Sequence, residues 1–202
     1  MESTMALASK FKLTESEYLL GELSAEIKHE LIDGETYAMA GASADHNRIS
    51  GNFYFEFRSS FKAKTCEPFI ADMKVNAHGN FFYPDVLVVC DDHKDDTEYV
   101  KYAPKLIVEV LSKSTRVTDH SVKLNNYLKI PTLEYYVIVE QDYCEISVLS
   151  RAAGFIPKFY YLGDEIEFPV IEATVAVNDI YDRIENEDKK RYLETLDEKE
   201  EK

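Results

Sequence analysis

The chain has 202 residues, 45% of them hydrophobic and 30% charged, with a formal charge of −15. That length and mixture favour one folded domain with a sizeable core, and seven Gly and six Pro exclude a collagen-like or low-complexity chain. The negative total opposes long electrostatic contact with nucleic acid or anionic lipid, yet residues 101–129 hold six bases and two acids, a local excess of +4.

No run approaches the roughly 20 apolar residues of a membrane span. The opening stretch, MESTMALASKFKL, lacks the apolar core of about 7–15 residues that a signal peptide needs. A cytoplasmic location with no membrane partner is therefore expected. Cys66, Cys90 and Cys144 are odd in number and widely spaced, so neither a disulfide framework nor a cysteine zinc site is expected. Cys90 and Cys144 lie in apolar runs and read as core filling.

The first element is a short helix at LTESEYLL, with Thr14 and Glu17 at capping-box spacing. KHELIDGETYAMAG reads as two short strands around the turn pair Asp33-Gly34. A long helix follows over about Asp45 to Lys64, where Ile49, Phe53, Phe57 and Phe61 draw one buried stripe. Residues 68–92 suggest a strand, a turn near Gly79-Asn80 and another strand. The acidic stretch 91–99 reads as a solvated loop.

KLIVEVL is a continuous apolar run, the pattern of a strand covered on both faces. The next helix is expected over 118–130, with Thr118 as N-cap, Val117, Leu124 and Leu128 on its buried side, and Pro131 ending it. LEYYVIVE is a second interior strand, and residues 144–172 look like a meander of shorter ones. A charged tail, 186–202, follows a single domain over 1–185. This order of elements predicts an α/β (α+β) domain with a mixed sheet.

Glu109 is the anomaly in its strand. An ionised carboxylate left alone in an apolar layer costs several kcal/mol, so it must find a cation or lose its charge. Asp85 opens a neighbouring strand, where Pro84 forces Tyr83 into an extended conformation. Strand alternation groups Ile107, Glu109 and Leu111 on one face, and Asp85, Leu87 and Val89 on one face of theirs. If the two acids share a side, a hard cation such as Mg²⁺ or Mn²⁺ could sit between them. A structural salt bridge to a nearby base is the competing reading. Asp119, Lys123 and Tyr127 fall at i, i+4 and i+8 on one helix face, which by spacing alone reads as a surface pair.

YPDVLVV, LIVEVLSKST and TDHSVKLNNY, in that order, resemble the PD-(D/E)xK nuclease superfamily and, more closely, the Uma-type restriction endonuclease family. HELIDGE at 29–35 and GASADH at 41–46 match that family's early motifs, and the likeness covers about residues 12–185. The resemblance implies a restriction-endonuclease-like fold, a mixed β-sheet flanked by helices. It also implies a metal-dependent endonuclease acting on DNA, with Asp85 and Glu109 as metal ligands, Mg²⁺ or Mn²⁺ as cofactor, and a homodimer.

The superfamily's lysine stands two residues after the glutamate, where this chain has Leu111. The resemblance then offers Lys123, on the following helix, as the third catalytic group. Lys113 competes, but four strand residues span about 13 Å. Glu30 matches the family's early acid and could equally face solvent; His46 could approach the site or act only as a cap. Asp119 and Tyr127 complete the supporting set. Gln141, Asp142 and Tyr143 read as a turn. The rival functions are a non-catalytic binding protein that keeps the fold, and a metal-dependent hydrolase of another phosphoester.

Overall fold

The computed structural model describes residues 12–62, 65–91, 94–112 and 119–200. Helix α1 (Glu15–Glu22) starts at Thr14, whose side chain accepts from the Glu17 amide while Glu17 reaches back to Thr14. Strands β1 (His29–Ile32) and β2 (Glu35–Ala38) form an antiparallel hairpin. Asp33 and Gly34 both take positive φ, 51° and 83°, at its tip, the backbone that a two-residue hairpin turn demands. Helix α2 (Ala44–Ser60) is capped by Ser43 and buries Ile49, Phe53 and Phe57.

Four strands occupy the region expected to hold two: β3 (Glu67–Ile70), β4 (Lys74–Ala77), β5 (Asn80–Phe82) and β6 (Val86–Val89). They are short, and their breaks fall at Ala71–Met73 and at Tyr83–Asp85. Pro84 lies in the second break and cannot donate to a ladder. Then come β7 (Val100–Lys101), β8 (Leu106–Leu111), β9 (Tyr135–Glu140), β10 (Glu145–Ser150), β11 (Pro157–Tyr161), β12 (Glu165–Phe168) and β13 (Ala173–Ala176).

These strands make two mixed sheets and a hairpin rather than one sheet. The order is β2-β1-β5-β4-β7 in one, β11-β10-β9-β8-β6-β3 in the other, with β12-β13 apart. The pairs β4/β7 and β8/β9 are parallel. Strands β8 and β9 are buried at every position, as their unbroken apolar runs require. One face of the six-stranded sheet, with Val86, Val88, Val108 and Val137, packs on Ile49, Phe53, Phe57 and Phe61 and on the β12-β13 hairpin. The opposite face, with Leu87, Ile107, Leu111 and Ile138, packs on Val75, Ala77 and Phe82 of the five-stranded sheet. Helix α1 covers that sheet's outer side through Tyr18 against Leu31 and Phe81.

A π-helical turn, Asp119–Lys123, runs straight into α3 (Leu124–Tyr127). Thr118 and Val117 lie outside the described residues. Leu124 and Leu128 are half-buried, while Tyr127 and Ile130 take the fully buried places. Leu124 and Leu128 still pack against the core beside them.

The chain ends in α4 (Val177–Ile180) and α5 (Glu187–Glu200). Helix α5 is tied to the body where Asp188 accepts from the Cys144 amide at 3.1 Å and Lys189 Nζ donates to the Tyr181 carbonyl at 2.6 Å.

Cys66 and Cys90 form a disulfide, against the expectation of isolated thiols. Pairing of Glu67 with Val89 puts residue 66 opposite residue 90, a proximity that spacing along the chain does not reveal. Cys144 is a buried free thiol. No helix among the described residues is long and apolar enough to cross a membrane.

Candidate active site

Strand pairing aligns the two central acids. Val86 faces Val108 in the antiparallel β6/β8 ladder, so one step outward Asp85 stands across from Glu109. Within β8, alternation puts Glu109 on the side of Ile107 and Leu111, toward the five-stranded sheet, whereas Asp85 precedes the first residue of β6. Asp85 is fixed twice: its Oδ2 accepts from the Val110 amide at 2.7 Å, and its carbonyl accepts from the Ala71 amide at 3.1 Å. His46, in the first turn of α2, brings Nε2 to 3.3 Å from Asp85 Oδ2. The side chains of Asp85 and His46 keep 17% and 14% exposure, so this end of the site meets solvent.

Glu109 is the interior end, 3% exposed. Its Oε1 accepts from Lys123 Nζ at 3.2 Å and from the Tyr127 hydroxyl at 2.9 Å. Lys123 Nζ also lies 3.1 Å from Glu30 Oε1. Leu31 packs against α1, so alternation turns its neighbour Glu30 inward, toward the six-stranded sheet. Glu30 Oε1 further accepts from the Tyr83 amide at 3.2 Å. Glu30 comes from one sheet, Asp85 and Glu109 from the other, and Lys123 and Tyr127 from the helix between.

Burial, the charges of Glu109 and Glu30, and the hydrogen bond to Glu109 all push the Tyr127 phenol well above its ordinary pKa. It therefore acts as a neutral donor. Lys123 is 6% exposed, which overturns the surface-pair reading that spacing favours. The Asp119 side chain and all of Lys113 lie outside the described residues.

Several contributing groups escape a reading of the sequence. Asn80 accepts from the Asp33 amide at 2.8 Å and donates to Asn126 Oδ1 at 2.9 Å, tying the Glu30 hairpin to the Lys123 helix. Ser43 Oγ donates to Gln141 Oε1 at 2.7 Å, so Gln141 does more than make a turn. Glu140 is buried on the Glu109 side of the sheet. An acid closing the apolar run YYVIVE is the one signal that could have marked it.

Asp85 and Glu109 offer hard carboxylate oxygens, the donors that Mg²⁺ and Mn²⁺ take. Among the described residues no group of three or more His, Cys, Asp or Glu is arranged to hold a metal. Mg²⁺ commonly relies on one or two carboxylates and draws its other ligands from water and substrate phosphate. Two carboxylates from adjacent strands, as Asp85 and Glu109 are, would meet that lighter requirement.

Comparison with known proteins bears on the family and the fold. The model of the Uma2 family, described as "Putative restriction endonuclease", matches residues 15–176. Two Synechocystis sp. proteins, both described as uncharacterized, are similar. One is 34% identical over 175 residues, covering 84% of this chain and 92% of its own length. The other is 36% identical over 141 residues, covering 68% and 80%. A crystal structure from Anabaena variabilis, described as a "putative nuclease belonging to DUF820", superposes with a TM-score of 0.67. It covers 84% of this chain and 98% of its own at 15% identity, a likeness of fold. With four-fifths of its length inside the family's pattern, the chain belongs to the Uma2 family of restriction-endonuclease-like proteins.

Proposed function

We propose that the protein is a divalent-cation-dependent endonuclease that hydrolyses DNA phosphodiester bonds in the cytoplasm, working as a homodimer. The observation that carries this reading is the cross-strand alignment of Asp85 and Glu109 with the Lys123 ammonium at 3.2 Å from the latter. The family match supplies the reaction class.

Asp85 and Glu109 would hold Mg²⁺ or Mn²⁺. A divalent ion, when bound, lowers the pKa of its water and relieves charge on the phosphate. Lys123 would orient the attacking water or pair with a phosphate oxygen. Tyr127 keeps Glu109 Oε1 turned toward the site by donating to it. Glu30 holds Lys123 from the other sheet, and His46 steadies Asp85 at the exposed end. The excess of bases over 101–129 would offset locally the field of an acidic protein.

A second reading has its own observation. Lys123 bridges Glu30 and Glu109, as it would in a structural ion-pair network of a non-catalytic binding protein. Plasmid DNA incubated with purified protein and Mn²⁺ separates the two. The expected result is nicking or linearisation by the parent, reduced about 10²-fold or more in Asp85→Ala and Glu109→Ala, since lost metal stabilisation amounts to several kcal/mol. Equal cutting by the parent and both variants would reject these residues. No cutting at any Mn²⁺ concentration would favour the binding protein.

A further inference from the structure

We propose that Lys123 is the site's own counter-ion before metal arrives, and that a divalent ion binds by displacing its ammonium from Glu109. This rests on the nuclease reading and adds to it a competition built into the fold.

Three observations point this way. First, the ammonium lies between carboxylates from two different sheets, 3.1 Å from Glu30 Oε1 and 3.2 Å from Glu109 Oε1. It occupies the kind of position that an inorganic cation takes. Second, Lys123 is almost wholly buried, and so is Glu109. A monovalent and a divalent cation on the same oxygen in such surroundings repel each other strongly, so both cannot stay at Glu109 Oε1. One must leave, and a divalent ion, with twice the charge, holds the carboxylate oxygen more strongly than an ammonium does. Third, Lys123 ends a π-helical turn and caps α3 without any side-chain capping bond. A π-turn carries an extra residue relative to an α-helix and occurs often at functional sites. Tightening it would rotate Lys123 without unravelling α3, which Tyr127 and the Asn80–Asn126 bond hold in place.

Lys123 then has two stations. In the metal-free protein it keeps Glu30 and Glu109 from repelling each other. In the loaded protein it gives up Glu109 and is free to meet the phosphate. The site discriminates against weak cations, because any ion must outcompete a preorganised ammonium.

Titration calorimetry with MnCl₂ on the full chain tests this without relying on cleavage. Lys123→Met keeps the length of the side chain and removes its charge. The expected result is Mn²⁺ binding at least about tenfold tighter than in the parent, abolished in the double variant Asp85→Ala/Lys123→Met. Circular dichroism should show that Mn²⁺ raises the melting temperature of Lys123→Met more than that of the parent. If Lys123→Met does not fold, Lys123→Gln, which retains a donor for Glu109, is measured instead and should show the same gain. Equal or weaker Mn²⁺ binding in the folded variant overturns the displacement while leaving the metal site intact. Absence of Asp85-dependent Mn²⁺ binding in both parent and variant overturns the metal reading itself, and the displacement with it.

Discussion

Glu109 shows how one residue can set the chemistry of its surroundings. Its strand is buried at every position, so its charge depends on the donors that reach it, Lys123 and Tyr127 among them. Removing one partner of a buried ion pair leaves an uncompensated charge and costs about 3–5 kcal/mol, whereas losing a neutral donor to a buried acceptor costs about 1–3 kcal/mol. Tyr127→Phe should therefore lower the unfolding free energy by about 1–3 kcal/mol in urea denaturation. Lys123→Ala should cost more, in metal-free buffer. An unchanged urea midpoint for Tyr127→Phe would mean that the hydroxyl does not carry Glu109. The oddness of Glu109, and the helical spacing of Lys123 and Tyr127, are visible in the sequence because they are local. The Val110 amide on Asp85 and the Ser43–Gln141 bond are not. They join residues brought close only by strand pairing and helix docking, and nothing in their own types or spacing marks them.

At the scale of elements, the site depends on holding a hairpin, two strands and a short helix in fixed relation. Apolar periodicity makes the long helix and the two central strands readable, since each buries a regular face. It fails in two places. The stretch 67–89 splits into four strands at positions set by local backbone breaks, and the two sheets separate where sequence order alone suggests one. After β8, Tyr127 and Ile130 are buried more deeply than the expected Leu124 and Leu128, which pack at the edge of the same core. Asn80 links the two elements that flank the site, through the Asp33 amide and Asn126. Asn80 is buried, while Asp33 is exposed and Asn126 half-buried, so Asn80→Ala breaks two part-buried bonds. It should cost about 1–3 kcal/mol and speed hydrogen exchange at the Asp33 amide relative to the centre of β8. Exchange that is unchanged at Asp33 would show that the hairpin is held by other contacts.

For the whole molecule, the distribution of tyrosine matters more than the net charge. Tyr18, Tyr83, Tyr127 and Tyr181 are each 4% exposed or less, and in every one burial is the foremost cause of a phenol pKa raised above 10. Acids beside them add to the effect: Glu22 at Tyr18 and Tyr83, Glu109 at Tyr127. These phenols link three regions of the fold: Tyr18 bonds the His29 carbonyl, Tyr127 the Glu109 carboxylate, and Tyr181 the Glu140 and Glu145 carbonyls. The sign of the linkage follows. A raised pKa in the folded state means that the native protein keeps a proton that the unfolded chain releases near pH 10. The stabilisation is complete below pH 10 and is lost as pH climbs toward the native values. Stability should thus hold through neutral pH and fall steeply above about pH 10. In absorbance at 295 nm, the buried group should ionise only together with the loss of circular dichroism. Smooth ionisation of all tyrosines with the fold intact would show that these four phenols are reached by solvent. The donor on which Glu109 relies would then disappear in alkali without unfolding.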